Sequence, residues 1–161
     1  MKTQGVVSPD TAHSPSDLET HRKVVIRYLD GRVLRAYLTA EEDRALQGSA
    51  PESFSVQSMD GNRAEVLASD IKAIFFVKSF EGTADYSEFK VFSAQPNGKG
   101  VWVQVQFQDG EMMEGVAPNR IDTYVKPVFS MTPPDPASNN QTVLVAKRSL
   151  VKMQVLGVAA D

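Results

Sequence analysis

Residues 21–38 read HRKVVIRYLDGRVLRAYL, and this stretch decides the fold class. Val24, Ile26 and Tyr28 alternate with Lys23, Val25, Arg27 and Leu29, the period of a strand with one buried face. Asp30-Gly31 then turns the chain, because glycine accepts positive φ and the aspartate side chain bonds its own backbone. On the return, Leu34, Ala36 and Leu38 form the apolar set, with Arg35 between them. The two sets share a face only if the connection is a three-residue loop with a glycine bulge rather than a two-residue turn.

Working outward, Thr39-Ala40-Glu41-Glu42 reads as a capping box opening a short helix over Glu41–Leu46, which Gly48 and Pro51 end. Strands are expected at Phe54–Ser58, at Arg63–Ala68 after an Asp60-Gly61 turn, and at Ile71–Lys78. Ile74-Phe75-Phe76-Val77 is continuously apolar, which implies burial on both faces or an interface.

The series then recurs. Val103, Val105 and Phe107 lead into Asp109-Gly110 as Val24, Ile26 and Tyr28 lead into Asp30-Gly31, 79 positions earlier, and Gly115 falls where Ala36 stands. At the far end Val66, Ile71, Ile74 and Phe76 correspond to Val145, Leu150, Met153 and Val155 at the same offset. The expected organisation is a flexible tail over residues 1–20, a five-stranded unit over 21–78, a connector over 79–99 and a second unit over 100–157. The connector aromatics Phe80, Tyr86, Phe89 and Phe92 are expected to pack against the sheets. Each unit alone is near the lower size limit for a stable core, and packing the two together relieves that shortage.

The first half of each unit, VVIRYLDGRVLRAYL and VWVQVQFQDGEMMEGVA, resembles the first motif of Sm-like small barrels. The closing halves, VLASDIKAIFFV and VLVAKRSLVKMQVL, resemble the second. The resemblance implies an all-β protein of two tandem, strongly bent, five-stranded Sm-like barrels, a family whose members assemble into rings and bind RNA. The chain departs from it where Ser69-Asp70 and Arg148-Ser149 replace the Lys-His pair of bacterial Sm-like RNA chaperones. The phrases YLDGRVLRAY, IKAIFFVKSFEG and PPDPASNNQTVLV also resemble an uncharacterised bacterial family, which implies no established activity and supplies no site residues.

Across its 161 residues the chain has no Cys and only two histidines, His13 and His21. This excludes a disulfide framework and a thiolate nucleophile, and argues against a multi-His metal site or His-based acid–base chemistry. No nucleophile elbow, phosphate-binding loop, Rossmann fingerprint or EF-hand loop is present. No catalytic residue, cofactor or metal is therefore expected. The absence of a long apolar run or signal-like start gives a cytoplasmic expectation, with no membrane association.

Charge separates the halves. Residues 21–78 carry nine basic and eight acidic side chains, whereas residues 79–161 carry seven and nine. Lys23, Arg27 and Arg35 are expected on one outward sheet face, with Arg22 and Arg32 at its ends, where they could meet phosphates or simply solvate the sheet. Trp102 is expected outward beside Gln104 and Gln106, as a contact residue or under the connector. The expected function is a non-catalytic module that binds another protein, in bacterial regulation. The alternative is an Sm-like RNA or nucleotide binder using Lys23, Arg27 and Arg35, and homo-oligomerisation is open in either case.

Overall fold

The computed structural model describes residues 21–48, 51–81 and 99–158. The expected tail and connector residues 82–98, including Tyr86, Phe89 and Phe92, lie outside these. The first half runs β1 (Arg22–Tyr28), β2 (Val33–Leu38), α1 (Ala40–Gly48), β3 (Ser53–Ser58), β4 (Arg63–Leu67), a 3-10 turn at Ala68–Asp70 and β5 (Ile71–Val77). The second runs β6 (Val101–Phe107), β7 (Met112–Ala117), α2 (Ile121–Val125), β8 (Val128–Met131), β9 (Asn140–Ala146), a 3-10 turn at Lys147–Ser149 and β10 (Leu150–Val158).

Local chemistry sets the hairpins. At the first, Tyr28 N–H donates to Arg32 O at 2.9 Å and Gly31 N–H donates to Tyr28 O at 3.1 Å. Leu29-Asp30-Gly31 is thus the expected three-residue loop, with Gly31 at φ 94°. The same pair of bonds recurs between Ser58 and Asn62 and between Phe107 and Glu111, with Gly61 and Gly110 at φ 90° and 93°. The register Val24↔Ala36 and Ile26↔Leu34 puts both apolar sets on one face. At α1, Thr39 Oγ1 accepts from Glu42 N–H at 3.1 Å. The Glu42 carboxylate does not complete the expected box; it accepts from Ser55 N–H at 3.0 Å and ties the helix to β3.

The protein is mostly β, but the expectation of two closed barrels needs correcting. Seven strands form one sheet in the order β4-β3-β2-β1-β5-β9-β8, and three form another, β10-β6-β7. Neither closes. The reason lies in β5: one edge pairs with β1 and the other with β9, so the first-half sheet runs on into the second half. Among the described residues one backbone bridge joins the sheets edge to edge, where Val116 and Thr132 exchange hydrogen bonds of 2.9 Å. Counted through it, the ten strands make a single ribbon with β4 at one end and β10 at the other.

Every residue of β5 is buried, as its apolar run implied, because the strand serves two cores. Ile71, Ile74 and Phe76 join Val24, Ile26, Leu38, Phe54, Val66 and Leu144 on one side. Ala73, Phe75 and Val77 join Val103, Val105, Phe107, Phe129 and Val143 on the other. Each large apolar side chain so buried contributes about 1.5–3 kcal/mol. The cores interlock, since the first-half Phe75 and the second-half Leu144 each complete the core built mainly by the other half. Lys72, buried on β5, adds a polar tie: its Nζ lies 2.6 Å from Asp109 Oδ2 and 2.5 Å from Glu111 Oε1, and 4.6 Å from the centre of the Phe107 ring.

Candidate functional site

Lys23, Arg27 and Arg35 do share one face of β1 and β2, opposite the core that holds Val24 and Ile26. The register sets Lys23 against Tyr37, Val25 against Arg35 and Arg27 against Val33. Arg27 is not free of the protein, because its guanidinium carbon lies 5.1 Å from the centre of the Phe75 ring. Arg22 and Arg32 do not extend this face, which corrects the expectation. Arg22 has the opposite parity on β1; its Nη1 lies 3.3 Å from Asp43 Oδ2 and its guanidinium sits 4.1 Å above the Phe76 ring. Arg32 folds back on its own turn, with Nε 2.7 Å from Asp30 Oδ2. The Arg32 backbone N–H, then its guanidinium, hold the Asp30 carboxyl below the usual carboxylate range.

At the start of this face a cleft of about 520 Å³ opens, lined by His21, Arg22, Lys23, Tyr37, Lys78 and Gln141 among others. Sequence reasoning picked out Lys23 but missed Tyr37 and Lys78. Those residues sit at the ends of different strands, and only the β2-β1-β5-β9 pairing brings them together. Tyr37 is set edge-on against Phe80, with ring centres 5.4 Å apart, so the first connector aromatic packs as expected. The loop after β8 anchors the same region: Asn139 Oδ1 accepts from Ser79 N–H at 3.0 Å, and Asn139 Nδ2 donates to Ser79 O at 2.8 Å.

Trp102 belongs to a separate surface on the three-stranded sheet. It faces away from the core, half-buried, and its indole N–H donates to Glu114 Oε1 at 3.0 Å. Gln104 Nε2 donates to the other carboxylate oxygen at 2.8 Å. Gly157 of β10 stands opposite Trp102, and a Cβ there would meet the ring at 3.5 Å. The indole is a fixed part of a polar cluster, and the structure does not bring it together with Lys23, Arg27 and Arg35.

The ribbon ends carry the other exposed chemistry. β10 is nine residues long, without proline, and its outer edge has no strand partner among the described residues. Val151, Val155 and Val158 are 61%, 44% and 53% exposed. At the opposite end, Leu67 closes β4 and is also exposed. It lines an apolar cavity of about 560 Å³ with Leu46, Phe54, Ile74, Leu144 and Arg148.

Among the described residues no group of three His, Cys, Asp or Glu could hold a metal, and no helix is long and apolar enough to cross a membrane. No curated protein and no solved structure matches the chain. A family model does match, from residue 20 to residue 157, so it takes in both sheets and both ends of the ribbon. The chain belongs to that family, DUF6982, a family of unknown function.

Proposed function

We propose that the protein is a non-catalytic interaction module, acting in regulation, that recruits a protein partner by strand addition at the outer edge of β10. The observation that carries this reading is the edge itself: long, without proline, with one charged residue, Lys152, and a row of exposed valines. Such edges template pairing with another chain, and natural proteins blunt them when pairing is unwanted.

The internal junction supports the mode. On our reading the halves are copies of one Sm-like five-stranded unit, since each runs strand, strand, helix, strand, strand, 3-10 turn, strand. Two residues 79 positions apart even meet, Arg148 Nη1 donating to Ser69 O at 3.4 Å. The first unit's last strand, β5, has found a partner in β9, with Ala73↔Val145 and Phe75↔Val143 in register. β10 occupies the corresponding position in the second unit.

The test is quantitative affinity purification with the wild type and with V155K/V158K, followed by amide exchange on the purified complex. The expected result is a partner lost in the variant, together with slowed exchange at the β10 amides. A partner that binds both proteins equally and leaves β10 exchange unchanged overturns the reading. Sedimentation of the protein alone reports whether a second copy fills the edge.

A further inference from the structure

We propose that the cleft over the ends of β1, β2 and β5 binds a phosphate monoester carried on a small organic molecule of mononucleotide size. The inference is independent of the β10 edge. The cleft forms along a row of neighbouring strands. Lys23 on β1 stands opposite Tyr37 on β2. On its other side, one position beyond the Val24↔Phe76 pair, lies Val77 of β5, and β9 follows with Asn140 opposite Val77. Four strands at about 4.8 Å spacing give the row a span of roughly 14 Å. The cavity, about 520 Å³, falls in the range of roughly 300–1,000 Å³ that small-molecule sites occupy.

Charge selects the ligand. Among the described residues no Asp or Glu lines the cleft, while Lys23, Lys78, Arg22 and His21 do. Arg22 is held by Asp43 and Phe76. Lys23 and Lys78 have no carboxylate within ion-pair distance among the described residues, so two lysines line the cleft without a compensating anion. A compact dianion satisfies both, and lysine binds phosphate as a point charge without needing a fixed fork. The backbone under Lys78 is fixed, because its N–H donates to Asn139 O at 2.9 Å. The Tyr37 ring, set against Phe80, and the Gln141 amide offer an aromatic edge and polar atoms to the uncharged part of the molecule. A polynucleotide fits less well, since stacking aromatics are not interleaved with Arg27 and Arg35.

Isothermal titration of the full chain with AMP, ribose 5-phosphate, adenosine, inorganic phosphate and a short oligoadenylate RNA tests this. Both esters are expected to bind, in a salt-sensitive way, with adenosine and inorganic phosphate at least tenfold weaker. K23Q and K78Q should each weaken the esters by about tenfold or more, the usual cost of losing a hydrogen bond to a charged group. AMP binding more tightly than ribose 5-phosphate, with the difference removed by Y37A, assigns a base contact. Equal affinities assign the phosphate ester alone. The proposal is overturned if neither ester binds at 10 mM, if K23Q and K78Q both leave affinity unchanged, or if the RNA binds more tightly than AMP through Arg27 and Arg35. V155K/V158K is expected to leave ester binding intact, which separates this outcome from that of the β10 test.

Discussion

Replacing Gly115 by alanine isolates the contact that joins the two sheets. The Gly115 backbone lies outside the left-handed region that favours glycine, so alanine meets no positive-φ strain there. Its Cβ, however, would lie 2.8 Å from Met131 Sδ, 2.9 Å from Met131 Cγ and 2.9 Å from Thr132 O. The methionine can swing aside, but the Thr132 carbonyl cannot: it accepts from Val116 N–H in the bridge between β7 and β8. Relief therefore means loosening two backbone bonds worth about 1 kcal/mol each, within the roughly 1–3 kcal/mol that overpacking costs. Against this stands a gain of about 0.4–1 kcal/mol from a less flexible unfolded chain. The net expectation is a loss of about 1–2 kcal/mol and a Tm lower by roughly 2–8 °C. Urea denaturation gives the first number. Amide exchange gives the location, with Val116 and Thr132 losing protection while the β1–β2 amides keep theirs. Unchanged stability with unchanged protection at those two amides would refute the steric account.

Lys72 tests the polar tie between the halves. K72A should cost about 1–2 kcal/mol, discounted from a fully buried pair because Asp109 is half exposed, and K72M should recover part of this by keeping the stem over Phe107; equal losses in denaturant would show that the stem contributes nothing. Three turn aspartates set an acid limit: the Arg32 backbone N–H at Asp30, the Ser58 hydroxyl at Asp60 and the Lys72 ammonium at Asp109 hold each carboxyl below the usual carboxylate range in the fold. Their stabilisation is complete above the unfolded value and is lost as pH falls through the folded values. D30N/D60N/D109N should accordingly flatten the decline of stability below about pH 4 relative to wild type, as read from urea midpoints against pH. On β10, V155K/V158K should change stability by no more than about 0.5 kcal/mol because both positions are exposed; a larger loss by thermal melting would mean that the valines support the fold rather than a partner.

Much of the local structure was legible in the residues. Period-two alternation located β1, β2 and β6, and Asp-Gly pairs located three hairpins, because both signals depend on neighbours a few positions apart. The double burial of β5 was legible too, from four consecutive apolar residues. The basic face was partly legible: parity placed Lys23, Arg27 and Arg35 together, but could not show that Arg22 turns to Asp43 and Phe76. Tyr37 and Lys78 carried no signal of their own. Each looks like an ordinary strand-end residue until pairing sets the strands side by side. Trp102 was correctly read as outward, and its indole bond to Glu114 follows from a register that alternation does not specify.

By itself, then, the sequence determined that this chain is built of short strands joined by glycine-bulge hairpins, since side-chain parity and turn conformation are properties of a few adjacent residues. Only the tertiary structure decided that β5 pairs with β9 instead of closing its own half, which opens the ribbon and leaves β4 and β10 at its ends. The reason is physical: a strand edge offers the same backbone donors and acceptors to any partner, so the choice falls to the cores on either side, where Phe75 and Leu144 each complete the packing of the opposite half.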